Sequence, residues 1–224
     1  MNSDRCMPAV GNRWTRRRFA LALPLLGALA YLDPRQALAG MVEGAQPLVR
    51  ASRTLMGTRV DIAAAVGNGR DAGAVQQAML HAFAEMERLE ALMSRYREGS
   101  DVARLGAAAG RHAVHVAPEV MQVLRTARRL HQESAGAFDP TIGALRGWHF
   151  EPGHEAAPAP EEIALALRLV NARHLVLDER AGTAYLARPG MGLDLGGVAK
   201  LPILQAGLQV LERAGVTDAL VNGG

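Results

Sequence analysis

The 224-residue chain has a single cysteine, Cys6, and a single lysine, Lys200. Cys6 stands upstream of the first apolar run, so it is not the lipid-bearing cysteine that would follow such a run. Beyond residue 39 there is no cysteine at all, which excludes disulfides, thiolate metal sites and a cysteine nucleophile together. A surplus of positive charge is also missing there, with 19 basic against 20 acidic side chains. Nucleic-acid binding, which usually needs a phosphate-neutralising stripe, is therefore set aside. No apolar run is long enough to cross a bilayer: Phe19 to Tyr31 is thirteen residues broken by Pro24, against the ~20 a spanning helix requires. A composition of 49% hydrophobic and 21% charged residues excludes collagen-like, disordered and all-apolar membrane classes.

What the N-terminal stretch does have is an order. Thr15-Arg16-Arg17-Arg18-Phe19 precedes the apolar run, and Ala37-Leu38-Ala39 precedes Gly40. A charged segment, a short apolar segment and a small-residue site in that order predict a cleavable export signal over residues 1–39. Paired arginines followed by Phe fit the twin-arginine type, and the expected address is a soluble periplasmic protein starting at Gly40.

Residues 40–224 are expected to form one domain. Thr54 to Val66 reads as a strand with a flexible point at Met56-Gly57-Thr58. Met79, Ala82, Phe83, Met86, Leu89 and Met93 recur at spacings of three and four, which predicts a helix over 71–95. Residues 94–110 are polar and Gly-punctuated, which reads as a loop with room for a short helical turn. A strand over 112–116 and a helix over 118–134 follow, with Pro118 in its first turn. Residues 151–160 read as a surface loop and 161–171 as a third helix. A short strand pair is expected at 175–178 and 183–187. Asp194-Leu195-Gly196-Gly197 reads as the end of another strand opening a helix to about Ala214, with Pro202 tolerated as a first-turn residue. Interleaved helices and strands without a strict βαβ period give a mixed α/β or α+β fold. The closing Leu220-Val221-Asn222-Gly223-Gly224 stops where a turn should begin, so the chain is expected to be incomplete.

Four short stretches bear chemistry. In Asp194-Leu195-Gly196-Gly197-Val198-Ala199-Lys200, two glycines at a helix start either let backbone N–H groups meet an anion such as pyrophosphate, beside Lys200, or make a tight turn with an exposed lysine. Ala137-Phe138-Asp139-Pro140-Thr141 presents Asp139 from extended backbone, either to a ribose or adenine or as an ordinary helix stop. Met93-Ser94-Arg95-Tyr96-Arg97 puts Tyr96 just past a helix, to stack on a ring or to sit half in the core. Met56-Gly57-Thr58 is a site feature or strand packing. His112 and His115, three apart in a strand, point to opposite faces and do not suggest a metal site. His149 and His154 read as solvent-exposed loop residues.

In this order, Met56-Gly57-Thr58, Met93-Ser94-Arg95-Tyr96 with Ser100, Gly136-Ala137-Phe138-Asp139-Pro140-Thr141-Ile142-Gly143, Asp194 to Lys200 and Ala219-Leu220-Val221-Asn222-Gly223-Gly224 resemble the ApbE family of FAD:protein FMN transferases over nearly all of 50–224. The resemblance implies a T-fold-like mixed α/β architecture and an exported, magnesium-dependent enzyme. Such an enzyme transfers FMN from FAD to a Ser or Thr hydroxyl of a client flavoprotein and releases AMP. It further implies FAD contacts at Met56, Tyr96, Ala137, Phe138, Asp139, Asp194 and Lys200, and a metal-binding carbonyl at Gly197. Leu201-Pro202 departs from the family's Gly-Tyr after the lysine. The resemblance also implies that the family's base histidine and remaining metal ligands lie beyond the Asn-Gly-Gly turn. The alternative function is a periplasmic FAD-binding module, or an inactive fragment, without transferase activity.

Overall fold

A computed structural model describes residues 47–67, 69–147 and 158–224. The chain divides into two units, Met1–Gln46 and Pro47–Gly224, and the architecture below is that of the second. The expected export signal, and His149 and His154, lie outside the described residues.

Strands β1 (Leu48–Leu55) and β2 (Thr58–Ala65) form an antiparallel hairpin with Leu55 opposite Thr58. This corrects the single strand expected over Thr54–Val66: the flexible point is the turn itself. Met56 and Gly57 have φ of 53° and 68°, the left-handed pair that a type I′ hairpin turn requires. A third strand, β6 (Ala219–Asn222), pairs antiparallel with β2 and sets Ile62 opposite Val221. The alternation along β2 buries Val60, Ile62 and Ala64 on one face, where they meet helix α1 (Ala72–Met93).

Helix α1 carries the expected stripe, with Met79, Phe83, Met86 and Leu89 all buried. Asp71 caps it by accepting from the Ala74 N–H at 2.7 Å. Its neighbour in the core is α5 (Gly196–Arg213). Gly207 lies at their crossing, where a Cβ would come within 2.9 Å of the Met86 sulfur, so the missing side chain sets how closely the helices approach. Pro202 falls inside α5 rather than in its first turn, correcting the expectation. It removes the amide that would bond the Val198 carbonyl.

Between α1 and α5 the chain forms α2 (Asp101–Ala108), β3 (Val114–His115), α3 (Pro118–Glu133), a 3₁₀ turn over Pro140–Ala144, α4 (Pro160–Leu167), β4 (Leu175–Asp178) and β5 (Thr183–Leu186). Strands β3, β5 and β4 make a second antiparallel sheet with β5 in the centre. Helix α2 replaces the loop expected over 94–110. Ser100 caps it, accepting from the Ala103 N–H at 2.9 Å, and Val102, Leu105 and Ala108 are buried at spacings of three. The strand expected to end at Asp194-Leu195 does not form: β5 ends at Leu186, and Pro189, Gly190 and Gly192 hold residues 187–195 outside regular structure.

Candidate functional site

The separate stretches singled out in the sequence are tied together around the start of α5. Gly143 and Gly192 let two backbones touch: a Cβ on Gly143 would fall 2.2 Å from the Leu193 carbonyl carbon, and one on Gly192 would fall 2.6 Å from the Gly143 oxygen. One residue further on, the Asp194 N–H donates to the Pro140 carbonyl at 2.8 Å. Phe138 reaches the other side of the junction, its ring edge 3.2 Å from where a Gly197 Cβ would stand. Lys200 Nζ points to the Gly223 carbonyl at 3.4 Å. A Cβ on Gly224 would meet Thr58 Oγ1 at 2.9 Å, which brings the Asn-Gly-Gly end beside the Met-Gly-Thr turn.

Asp194 is the centre of this arrangement. One carboxylate oxygen accepts from the Gly196 N–H at 2.8 Å, and the other accepts from Arg95 Nη1 at 2.9 Å. The first of these places a negative charge at the helix start, where the dipole favours it. Val198 and Ala199 both donate to the Leu195 carbonyl, which leaves Gly197 as the exposed amide of the first turn.

Arg95 also donates to the Leu145 carbonyl at 3.1 Å, and its guanidinium lies 5.4 Å from the Tyr96 ring centroid. The turn that presents both residues is fixed locally. Ser100 Oγ donates to the Ser94 carbonyl at 2.6 Å, and the Tyr96 N–H donates to Ser94 Oγ at 3.2 Å. Tyr96 is 47% exposed and lines a cleft of about 330 Å³ with Arg95, Val102, Gly143, Arg146 and Leu193. An adjoining hollow of about 620 Å³ shares Arg146 and is walled by Leu145, Ile163 and Leu169.

Of the residues expected to touch a nucleotide, Tyr96 lines the cleft, while Phe138, Asp194 and Lys200 surround the helix start. Met56 stands at the hairpin turn, its N–H donating to Glu90 Oε1 at 2.9 Å, and Ala137 is exposed beside Phe138. Asp139 is committed locally. One oxygen accepts from the Thr141 N–H at 2.8 Å and from Thr141 Oγ1 at 2.5 Å, while the other accepts from the Ala172 N–H at 2.9 Å and faces His131 Nδ1 at 3.2 Å. His131 Nδ1 is also 3.0 Å from the Phe138 carbonyl. Sequence reasoning quoted Arg95 without giving it a role and did not single out His131. The signal for Arg95 was an arginine directly before Tyr96 in a motif already singled out.

A magnesium ion does not fit the described residues as they stand. Gly197 offers one carbonyl, both Asp194 oxygens are engaged, and no group of three or more His, Cys, Asp or Glu side chains that could hold a metal occurs among the described residues. A hard divalent cation takes about six oxygen ligands.

Two small antiparallel sheets packed with helices, with four of the short motifs drawn together around the start of α5, define a mixed α/β protein. The ApbE family model matches residues 56–224, and the chain belongs to the ApbE family. Relatives include an FAD:protein FMN transferase from Klebsiella pneumoniae, 33% identical over 143 residues that make up 63% of this chain and 45% of that protein. Another from Treponema pallidum is 32% identical over 163 residues, 69% of this chain and 44% of that one. The chain thus spans about half the length of the curated relatives it matches. Among solved structures, a mutant of the flavin transferase ApbE from Vibrio cholerae aligns at TM-score 0.69 and 25% identity over 80% of this chain and 61% of that one. The ApbE protein of Thermotoga maritima shares the fold at TM-score 0.69, 24% identical over 80% of this chain and 57% of that one. No helix among the described residues is long and apolar enough to cross a membrane.

Proposed function

We propose that the protein is an FAD:protein FMN transferase, moving FMN from FAD to a Ser or Thr hydroxyl of a client flavoprotein, releasing AMP and working with magnesium. The observation that carries this reading is the meeting of four sequence motifs around α5, through Asp194 to Pro140, Phe138 to Gly197, Arg95 to Asp194, and Lys200 to Gly223, with the Met56-Gly57-Thr58 turn beside Gly224. Family membership and the names of the relatives support it.

In this reading Tyr96 offers a ring face to an aromatic part of FAD. The Gly197 amide and the Lys200 ammonium face its phosphates. At 3.4 Å the Lys200 contact with Gly223 is long enough to be exchanged for a phosphate oxygen. Met56 and Ala137-Phe138 border the same ligand, and Asp139 shapes that border through Thr141 and Ala172. The acceptor hydroxyl oxygen bonds to the FMN phosphorus as that phosphorus loses its bond to the bridging oxygen; AMP leaves with the bridging oxygen, and the hydroxyl proton passes to the leaving phosphate or to solvent. A magnesium ion would supply charge neutralisation on the pyrophosphate; among the described residues the Gly197 carbonyl is the one ligand offered to it, so no step is routed through it. Export to the periplasm by a twin-arginine signal belongs to the same proposal, supported by Arg16-Arg17-Arg18-Phe19 and the apolar run after it.

The test is to incubate the purified protein with FAD, Mg²⁺ and a client domain and to weigh the client. A covalent FMN adduct is expected. An unchanged client with retained FAD binding would favour the alternative of an FAD-binding module, and loss of both would overturn the reading.

A further inference from the structure

We propose that Arg95 is a positioning residue of the FAD site, acting through Asp194: it cancels the charge of the acid that accepts the first amide of α5, so the helix start can admit an anionic dinucleotide. The inference rests on the FAD reading above. Asp194 is needed locally, since its carboxylate takes the Gly196 N–H and its own N–H ties the helix start to Pro140. The same carboxylate stands where the helix dipole would otherwise draw a phosphate. An uncompensated carboxylate there would repel the pyrophosphate of FAD.

Arg95 resolves the conflict. Its side chain is 14% exposed and that of Asp194 is 23% exposed, so solvent screens the pair only in part. The guanidinium is held in place by the Leu145 carbonyl and stacked near Tyr96, and its backbone is fixed by the Ser94–Ser100 turn. Arginine suits this task because its planar fork serves Asp194 and Leu145 at once.

A binding cycle on the full chain tests this, with flavin fluorescence reporting the FAD dissociation constant. Arg95→Gln is expected to weaken FAD by about tenfold at low salt, with the loss shrinking as salt is raised. In an Asp194→Asn background the same change should matter little, because no negative charge is left to cancel. Arg95→Lys, which keeps the charge, should stay much closer to the parent than Arg95→Gln, and thermal unfolding of each variant separates binding from folding. Equal losses in both backgrounds would overturn the inference, showing that Arg95 meets the ligand directly or only braces the fold. A lysine variant as weak as the glutamine one would overturn it too. If the parent chain binds no FAD, the functional reading falls and this inference with it; if it binds FAD and the cycle is additive, only this inference falls.

Discussion

Replacing Gly143 by alanine tests the backbone junction that brings the motifs together. The added Cβ would stand 2.2 Å from the Leu193 carbonyl carbon, 2.3 Å from its oxygen and 2.6 Å from its nitrogen. Ordinary carbon contacts begin near 3.5 Å, so the two segments must part by about 1 Å, and backbone atoms cannot swing aside as a side chain can. Parting them strains the buried Pro140–Ala144 turn and breaks the bond from the Asp194 N–H to the Pro140 carbonyl. Overpacking costs about 1–3 kcal/mol, and a buried hydrogen bond left unmade costs about 1–3 kcal/mol more. A loss of about 3 kcal/mol should lower the melting temperature by roughly 6–12 °C in a domain of this size. The assay is thermal unfolding followed by circular dichroism, with FAD binding measured on the same samples. Gly192→Ala probes the same contact from the other side, 2.6 Å from the Gly143 oxygen, and should fall by a similar amount. Gly99→Ala, which points into open space, is the control and should melt with the parent. Gly143→Ala melting together with Gly99→Ala would refute the reasoning.

Lys200→Ala should weaken FAD binding, by less at high salt than at low salt; an unchanged dissociation constant would remove the ammonium from the phosphates. Asp139→Ala strips partners from the amides of Thr141 and Ala172 and from the Thr141 hydroxyl, and should cost about 3 kcal/mol in urea unfolding, whereas a parent-like midpoint would mean the loop holds itself. Met56→Asn suits the left-handed turn and should retain the fold while losing FAD affinity; full affinity would take Met56 out of the site. Arg88 donates hydrogen bonds to Glu85 and Glu119 and holds both carboxyls below their ordinary range. Lowered folded values contribute stability above the ordinary glutamate range and lose it as pH falls through them. Arg88→Gln should therefore flatten that part of the acid-unfolding curve, by no more than about 1 kcal/mol because the pair is solvent-facing. Identical curves would show that Arg88 carries no linked stability.

The helices were legible where a long apolar stripe repeats, as Met79 to Met93 does in α1, because a period near 3.6 leaves little else for the chain to be. The hairpin was not. Met-Gly lacks the Asn-Gly or Asp-Gly signature, and its left-handed residues are enforced by strand pairing and by Glu90 bonding the Met56 amide. Helix α2 was missed because Gly106 and its polar neighbours hid a stripe of Val102, Leu105 and Ala108. At the site, the motifs could be listed in order but not joined. Arg95 and Asp194 are 99 residues apart in sequence, and a single chain gives no sign that their charges meet. Asp139 was legible by its type and its place before proline, whereas the partners of its oxygens, the Thr141 and Ala172 amides and the Thr141 hydroxyl, were not.

Because Lys200 is the chain's sole lysine and its amine is only partly covered beside Gly223, the chain carries a natural single-point handle beside the proposed nucleotide site. Apart from the α-amino group, an acylating dye has one amine to find. The yield of that labelling, with and without flavin present, would register occupancy directly, with no engineered cysteine and no tag.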